Sequence, residues 1–388
     1  MATTATTGAG PTDYGSEDAA MQAYLAEGER RAFTLGNRGP LRFDAKGRLT
    51  QDILDAYWRC GFYVFEGVLK ADELADIERD VKSIQDRLPV AQGAAVDRHG
   101  RPALTAGLEA PTLFWSKPLG DPFGGTELAN GRHPVKMPEP KAAADAPKEV
   151  VYLILGTLQF SEACLRVYGH PDLLRVVASV NGDDFAPFNE ALFIKEPGLG
   201  ASVAWHQDGV THWDAPDWDE GTHGFNMMAQ LYGCTAANGV WVVPGSHKLG
   251  RIDIKSWVAA AGTQRLPEAV PMICKPGDVA ITNRQSLHGS FANTSKDWRV
   301  TVNQGYHRRK SVLNVEAGGL HAAPAVYTAE RIAERARMIG LGIDARRQRF
   351  PAETPYVYKP HAEAGLTYTW DVTSKAGIRD YNLLDLSI

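Results

Sequence analysis

Trp205-His206-Gln207-Asp208-Gly209 is the stretch on which the reading of this chain turns. Side chains on a β-strand alternate between faces, so His206 and Asp208, two apart, are expected on one face. Short segments rich in β-branched or aromatic residues surround the stretch: 191–195, 202–207, 225–232, 240–243, 279–282 and 299–303. Turn signals punctuate them at Glu196-Pro197-Gly198, Asn238-Gly239, Pro244-Gly245-Ser246 and Pro276-Gly277-Asp278. Many short strands with such punctuation predict an antiparallel barrel or jelly roll. The fold class is therefore mainly β with flanking helices around that barrel or jelly-roll core.

Helical signals lie mostly outside that region. Residues 51–60 read as a helix stopped by Gly61, and Phe62-Tyr63-Val64-Phe65 as a strand. From Asp72, the residues Leu74, Ile77, Val81, Ile84 and Leu88 fall at spacings of three and four, one apolar stripe ended by Pro89. Residues 171–180 and 328–339 read as further helices, the first with Pro171 in its opening turn. The arginines at 331, 335 and 337 read as a solvated helix face.

The chain of 388 residues has length for two domains, but a single barrel with a large insertion and an extended C-terminal part fits as well and is the reading favoured. Residues 1–20, Ala/Thr/Gly-rich and poor in apolar bulk, are expected to form a disordered arm, with one domain over 21–388. Residues 90–148 are rich in Gly, Pro and Ala, with an aromatic island at Phe114-Trp115, and read as an insertion covering the substrate. Residues 311–388 form the C-terminal extension, whose Tyr356, Tyr358, Tyr368 and Trp370 are expected to cap the barrel or meet a second copy in a homodimer.

The charge balance of −5 argues against a nucleic-acid partner. No apolar run approaches the length of a membrane span, and the first residues lack a secretory pattern. Four scattered cysteines without a CxxC pair read as reduced thiols. Together these predict a cytoplasmic protein without a membrane partner.

His206 and Asp208, completed by His288 from a distant strand, would form a two-His, one-carboxylate facial set, the ligand type of non-haem Fe(II) oxygenases. Such a set leaves positions open for a bidentate 2-oxo acid and O2. By ligand type Mn, Co or Ni would bind similarly, and zinc with three ligands and a water is the chemical rival. Arg299 discriminates between them, because a hydrolytic zinc site has no need of it, whereas a guanidinium grips a carboxylate through parallel hydrogen bonds. His212 and His223 follow the motif without regular spacing and read as lid or surface residues; His247 reads as a structural turn residue. Trp213, Trp218 and Phe225 are expected either in the core or as an apolar wall for the substrate.

Taken in order, Trp205-His206-Gln207-Asp208, Asn238 to Lys248 with its Val243-Pro244-Gly245-Ser246-His247, Gly277-Asp278-Val279, His288-Gly289-Ser290 and Arg299 resemble the phytanoyl-CoA dioxygenase (PhyH-like) family. The opening Gly61 to Leu69 with its following helix is also similar, and the resemblance covers roughly residues 50–310 apart from the insertion. It implies a double-stranded β-helix (jelly-roll, cupin-like) core, iron ligation by His206, Asp208 and His288, and 2-oxoglutarate anchored by Arg299 with Ser290. Lys195 and Asn189 match, more loosely, positions of further cosubstrate contacts. The cofactors implied are Fe(II), 2-oxoglutarate and O2, and the partner is a small-molecule substrate. Asp208 speaks against halogenation, which needs a small residue there. Hydroxylation of a metabolite or natural product is the leading expectation. Acyl-CoA or acyl-carrier hydroxylation, desaturation or cyclisation, and a non-catalytic metal-binding jelly roll are the alternatives.

Overall fold

The computed structural model describes residues 13–318 and 323–388. Helix α1 (Asp18–Ala32) precedes the edge strand β1 (Arg38–Gly39), followed by α2 (Gln51–Cys60), β2 (Phe62–Phe65) and α3 (Ala71–Asp86). Strands β3 (Leu113–Ser116) and β4 (Val150–Leu155) come next, then α4 (Glu162–Tyr168) and α5 (Pro171–Asn181). The barrel strands are β5 (Ala186–Lys195), β6 (Val203–His206), β7 (Phe225–Gln230) and β8 (Trp241–Val242). After α6 (Ile254–Ala261) come β9 (Val270–Pro271), β10 (Val279–Asn283), β11 (His288–Ser290) and β12 (Arg299–His307). Helices α7 (Arg309–Val312) and α8 (Ala329–Arg349) open the C-terminal extension.

Eight strands form one sheet in the order β1-β2-β10-β7-β12-β5-β4-β3, and four form a second in the order β6-β11-β8-β9. From β5 to β12 the chain changes sheet at every step except β8 to β9, which is the jelly roll the strand pattern predicts and the double-stranded β-helix the family resemblance implies. Period-two alternation then sorts the large sheet into two faces. Leu192, Ile194, Met227, Ile281, Val300 and Val302 join the apolar sides of α3, α4 and α5 in the main buried cluster. Arg299, Asn303, Ala191 and Phe193 lie on the opposite face and line the cavity between the sheets.

Local signals account for several boundaries. Helix α2 ends where Gly61 turns left-handed at φ +80, its amide bonded to Tyr57 O. A Cβ on Gly61 would also stand 2.6 Å from His247 Nδ1 and Ser286 Oγ, so the turn and the close approach both require glycine.

Four expectations change. The disordered arm lies partly outside the described residues (1–12), but within 13–20 the chain is ordered into a short 3-10 turn and the start of α1. Met21, Leu25, Gly28 and Ala32 form that helix's buried side, and Tyr24 stacks on Trp241 at 4.4 Å. Small residues carry half of this stripe, which hid it from a search for apolar bulk. The insertion, secondly, is not without regular structure: β3 contains the Phe114-Trp115 island and pairs with β4, extending the large sheet. Thirdly, Arg335 is not solvated. It is fully buried, 2.7 Å from both Glu190 on β5 and Asp385 near the end of the chain, whereas Arg331 and Arg337 are half-buried. Fourthly, β6 stops at His206, so Asp208 lies just past the strand.

Candidate metal and cosubstrate site

His206 and His288 face each other as directly paired residues of antiparallel β6 and β11, with ring centroids 4.1 Å apart. Asp208 joins them although it is off the strand: its amide donates to Arg284 O at 2.8 Å, and Asn226 Nδ2 donates to its Oδ2 at 2.7 Å. Gln207 between them turns away, its amide group bonded to Gly250 O, Gln285 O and the Ile252 amide, which pins the loop. Gly209 follows because a Cβ there would lie 2.5 Å from the His223 ring. Asp208 Oδ1 is 3.4 Å from His206 Nε2 and Oδ2 is 3.7 Å from His288 Nε2; the three ligand atoms all lie within 4.8 Å of one another.

The donor set suits a divalent cation. Nδ1 of His206 and of His288 each donates to a backbone carbonyl, Ala204 O at 2.7 Å and Ser286 O at 2.9 Å. That fixes the tautomer and leaves each Nε2 lone pair turned toward Asp208. Burial, with His206 alongside, lowers the His288 pKa to about 4, so its ring is neutral at pH 7, as a metal ligand would have to be. Burial alone would raise the Asp208 pKa, but its polar contact with His206 and the charge of Arg132 outweigh it and hold the carboxyl well below its usual range.

A second cluster lies where β12 begins. Arg299 pairs with Lys195 across β12 and β5, and both are buried. Arg299 Nε donates to Thr301 Oγ1 and Nη1 to Asn238 O; Lys195 Nζ donates to Ser290 Oγ at 2.8 Å and Phe291 O at 2.6 Å. Burial, reinforced by Arg299, drives the Lys195 pKa well below its ordinary value. Among the described residues neither cation has a carboxylate within ion-pair distance. The carboxylate whose charge reaches Lys195 is Asp121, and its oxygens are taken by the amides of Phe123, Gly124 and Met137. Ser290 is two residues from His288, so this cluster and the metal ligands share β11.

The structure thus brings His206, Asp208 and His288 together, and Arg299, Ser290 and Lys195 together. Asn189 stands apart. It lies six residues along β5 from Lys195, about 20 Å at strand rise, on the wall of the same cavity, with its buried Oδ1 unpartnered among the described residues. His223 is neither a ligand nor exposed: it is buried, with ring nitrogens on Gln285 Oε1 and Thr211 O. His247 is the buried turn residue expected, held by Trp58 O. Phe225 belongs to the core, and Trp213 packs on His223 at 4.4 Å. The aromatic wall comes instead from Phe114, Trp115, Phe123 and Phe193, which line a cavity of about 640 Å³ reaching the metal ligands.

Three polar residues at the site were not singled out from sequence. Arg284, in the turn between β10 and β11, is fully buried over the Phe188 ring and donates to His223 O and Asp208 O. Burial lowers its pKa to about 10, which leaves it charged at pH 7. Arg132 and His133 come from the insertion. Arg132 Nη1 donates to Asp208 O at 2.9 Å, and His133 is sandwiched between His206 at 4.2 Å and Phe123 at 5.1 Å. The Asn130-Gly131 turn signal just before them was the one hint available.

The family model of phytanoyl-CoA dioxygenase (PhyH) matches residues 57–301, more than half of the chain. The chain belongs to this family of Fe(II)- and 2-oxoglutarate-dependent dioxygenases. It is 33% identical over 109 residues to phytanoyl-CoA dioxygenase 1 of Oryza sativa subsp. japonica, covering 26% of this chain and 37% of that protein. It is 30% identical over 141 residues to dioxygenase lolE1 of Epichloe uncinata, covering 36% of this chain and 52% of that protein. The matches therefore span about half or less of these relatives' own length. Among solved structures, EctD from S. alaskensis with 2-oxoglutarate and 5-hydroxyectoine is similar at 20% identity and a TM-score of 0.47, over 70% of this chain and 81% of that one. Among the described residues, no helix is long and apolar enough to cross a membrane.

Proposed function

We propose that this chain is an Fe(II)- and 2-oxoglutarate-dependent oxygenase that hydroxylates an unactivated C–H bond of a small molecule. The observation that carries the reading is the buried Arg299 guanidinium, with the Lys195 amine paired beside it, left without a carboxylate near a His-Asp-His ligand set. Burying charge without a partner is costly, so such a pair persists where a ligand brings the counter-charge. A simple hydrolytic metal site has no use for it.

His206, Asp208 and His288 would hold the metal on one face, their second nitrogens and the Asn226 bond keeping each ligand in orientation. Iron bound there would supply the oxidising chemistry, with 2-oxoglutarate and O2 consumed and succinate and CO2 released. Arg299, with Ser290 and Lys195, would take the distal carboxylate of the cosubstrate. Thr301 and the Asn238 carbonyl hold the guanidinium in place for that role. The aromatic wall excludes water from the reacting face and holds the substrate over it. Arg284, charged and fully buried, donates to the Asp208 backbone carbonyl and holds that segment in position.

The direct test is succinate release from 2-oxoglutarate by the purified protein, with and without Fe(II) and O2. Turnover that requires both, and falls to background in His206→Ala, Asp208→Ala and His288→Ala, is the expected result. Turnover that survives removal of iron, or persists in these variants, overturns the assignment.

A further inference from the structure

Resting on the oxygenase reading, the geometry points to an organic acid as substrate, its carboxylate received by Arg132 of the insertion and its apolar body laid along Phe114, Trp115, Phe123 and Phe193.

Arg132 is held in place by its surroundings. His133 beside it is 2% exposed and stacked between a metal ligand and Phe123, so the segment has little freedom to slide. The chain reaches these residues through three successive left-handed positions, Ala129 (φ 53), Asn130 (φ 59) and Gly131 (φ 64). For Ala129 this conformation costs roughly 1–2 kcal/mol, while Asn130 and Gly131 tolerate it. Strained backbone of this kind persists where the surrounding structure over-determines it, and it collects at ligand clamps. Here it aims two consecutive polar side chains at the metal corner.

The guanidinium of Arg132 is also under-used. Nη1 donates to Asp208 O, but Nη2 stands 3.8 Å from Asp208 Oδ1 and Nε is buried with no partner. Among the described residues neither donor of that edge has a hydrogen-bond acceptor, and Nη2 is only within ion-pair reach of Asp208. A planar carboxylate fits one guanidinium edge through two parallel hydrogen bonds.

The charge of the filled cavity points the same way. A divalent metal, the 2-oxoglutarate dianion and Asp208 together carry one net negative charge. Against them stand the guanidinium groups of Arg132, Arg284 and Arg299, all on the cavity wall. Glu127 is exposed at the rim and forms no ion pair among the described residues, so it offsets one at most. Positive charge remains for the substrate to match, and Arg132 is the carrier with donors to spare.

The test compares matched acids and amides, phenylbutanoate with phenylbutanamide and decanoate with decanamide. They are added anaerobically to the Fe(II)- and 2-oxoglutarate-loaded protein. Binding is read from the visible absorption of the loaded centre and from tryptophan fluorescence, since Trp115 lines the cavity. Each acid is expected to bind about tenfold to a hundredfold more tightly than its amide, the usual worth of a charged hydrogen-bonded contact. Arg132→Gln should erase that preference and Arg132→Lys restore part of it. Equal binding of acids and amides by the wild type, or a preference unchanged in Arg132→Gln, overturns the proposal. Failure of the oxygenase reading is seen separately, as no absorption change when 2-oxoglutarate meets the iron-loaded wild type. In that case acid against amide is still decided by fluorescence.

Discussion

Arg299 and Arg335 are both buried, at 3% and 0% exposure, and both meet strand β5, yet they keep opposite company. Arg335 reaches in from α8 and is held by Glu190 and Asp385, with the Tyr381 hydroxyl on Glu190. Its charge is answered entirely by the protein, so it works as a latch that ties the C-terminal extension to the barrel. Arg299 faces the barrel interior with a threonine, a carbonyl and a second cation around it. Its counter-charge is left to a ligand. A buried cation the protein neutralises is structural; one it does not is a binding site.

The largest effect expected from breaking this contrast is on stability. Arg335→Ala strands two buried carboxylates and should destabilise the fold by about 3–5 kcal/mol, measured by urea unfolding. Arg335→Met with Glu190→Gln and Asp385→Asn should recover much of that loss. If Arg335→Ala unfolds at the wild-type midpoint, the latch reading fails.

A group of buried titratable side chains sharpens the comparison through pH. His170 and His247 are buried neutral, and burial lowers their pKa values to about 3 and about 4. A histidine depressed in the folded state stabilises fully above its unfolded pKa and loses that contribution as pH falls toward the folded value. Each should therefore cost about 2 kcal/mol between neutrality and about pH 5, since the unfolded pKa is about 6.5. Unfolding midpoints across that range check it; His247→Gln should show a shallower decline than wild type, and an equal decline removes His247 from the account.

The smallest effect is expected at Ser290, which accepts from Lys195 but carries no charge. Ser290→Ala should weaken 2-oxoglutarate binding by about 1 kcal/mol, a few-fold in dissociation constant, as read by calorimetry. A loss as large as that of an arginine would mean that the hydroxyl, not the guanidinium, is the principal anchor.

What could be read from the residues follows from how local each signal is. His206-Gln207-Asp208 was legible because two of the three ligands sit two apart, and the alternation of Arg299, Thr301 and Asn303 with Val300 and Val302 showed which face of β12 is polar. Even there the strand ends at His206, and Asp208 is brought round by its bond to Arg284 O, which no spacing shows. Arg132 and His133 were hidden because a left-handed turn and tertiary packing, with no periodicity, carry the insertion to the metal corner. Arg335 was misread for the opposite reason. Three arginines on one helix look solvated, and its partners Glu190 and Asp385 lie 145 and 50 residues away.

The central claim is that Arg299 waits for a carboxylate the protein does not provide. An anaerobic titration of the iron-loaded protein with 2-oxoglutarate, followed by the weak visible charge-transfer band of the chelate, tests it most directly. The band should develop in wild type, and Arg299→Ala should require on the order of a hundredfold more 2-oxoglutarate to reach it. A band appearing at the same concentration in Arg299→Ala, or none in wild type, would contradict the account.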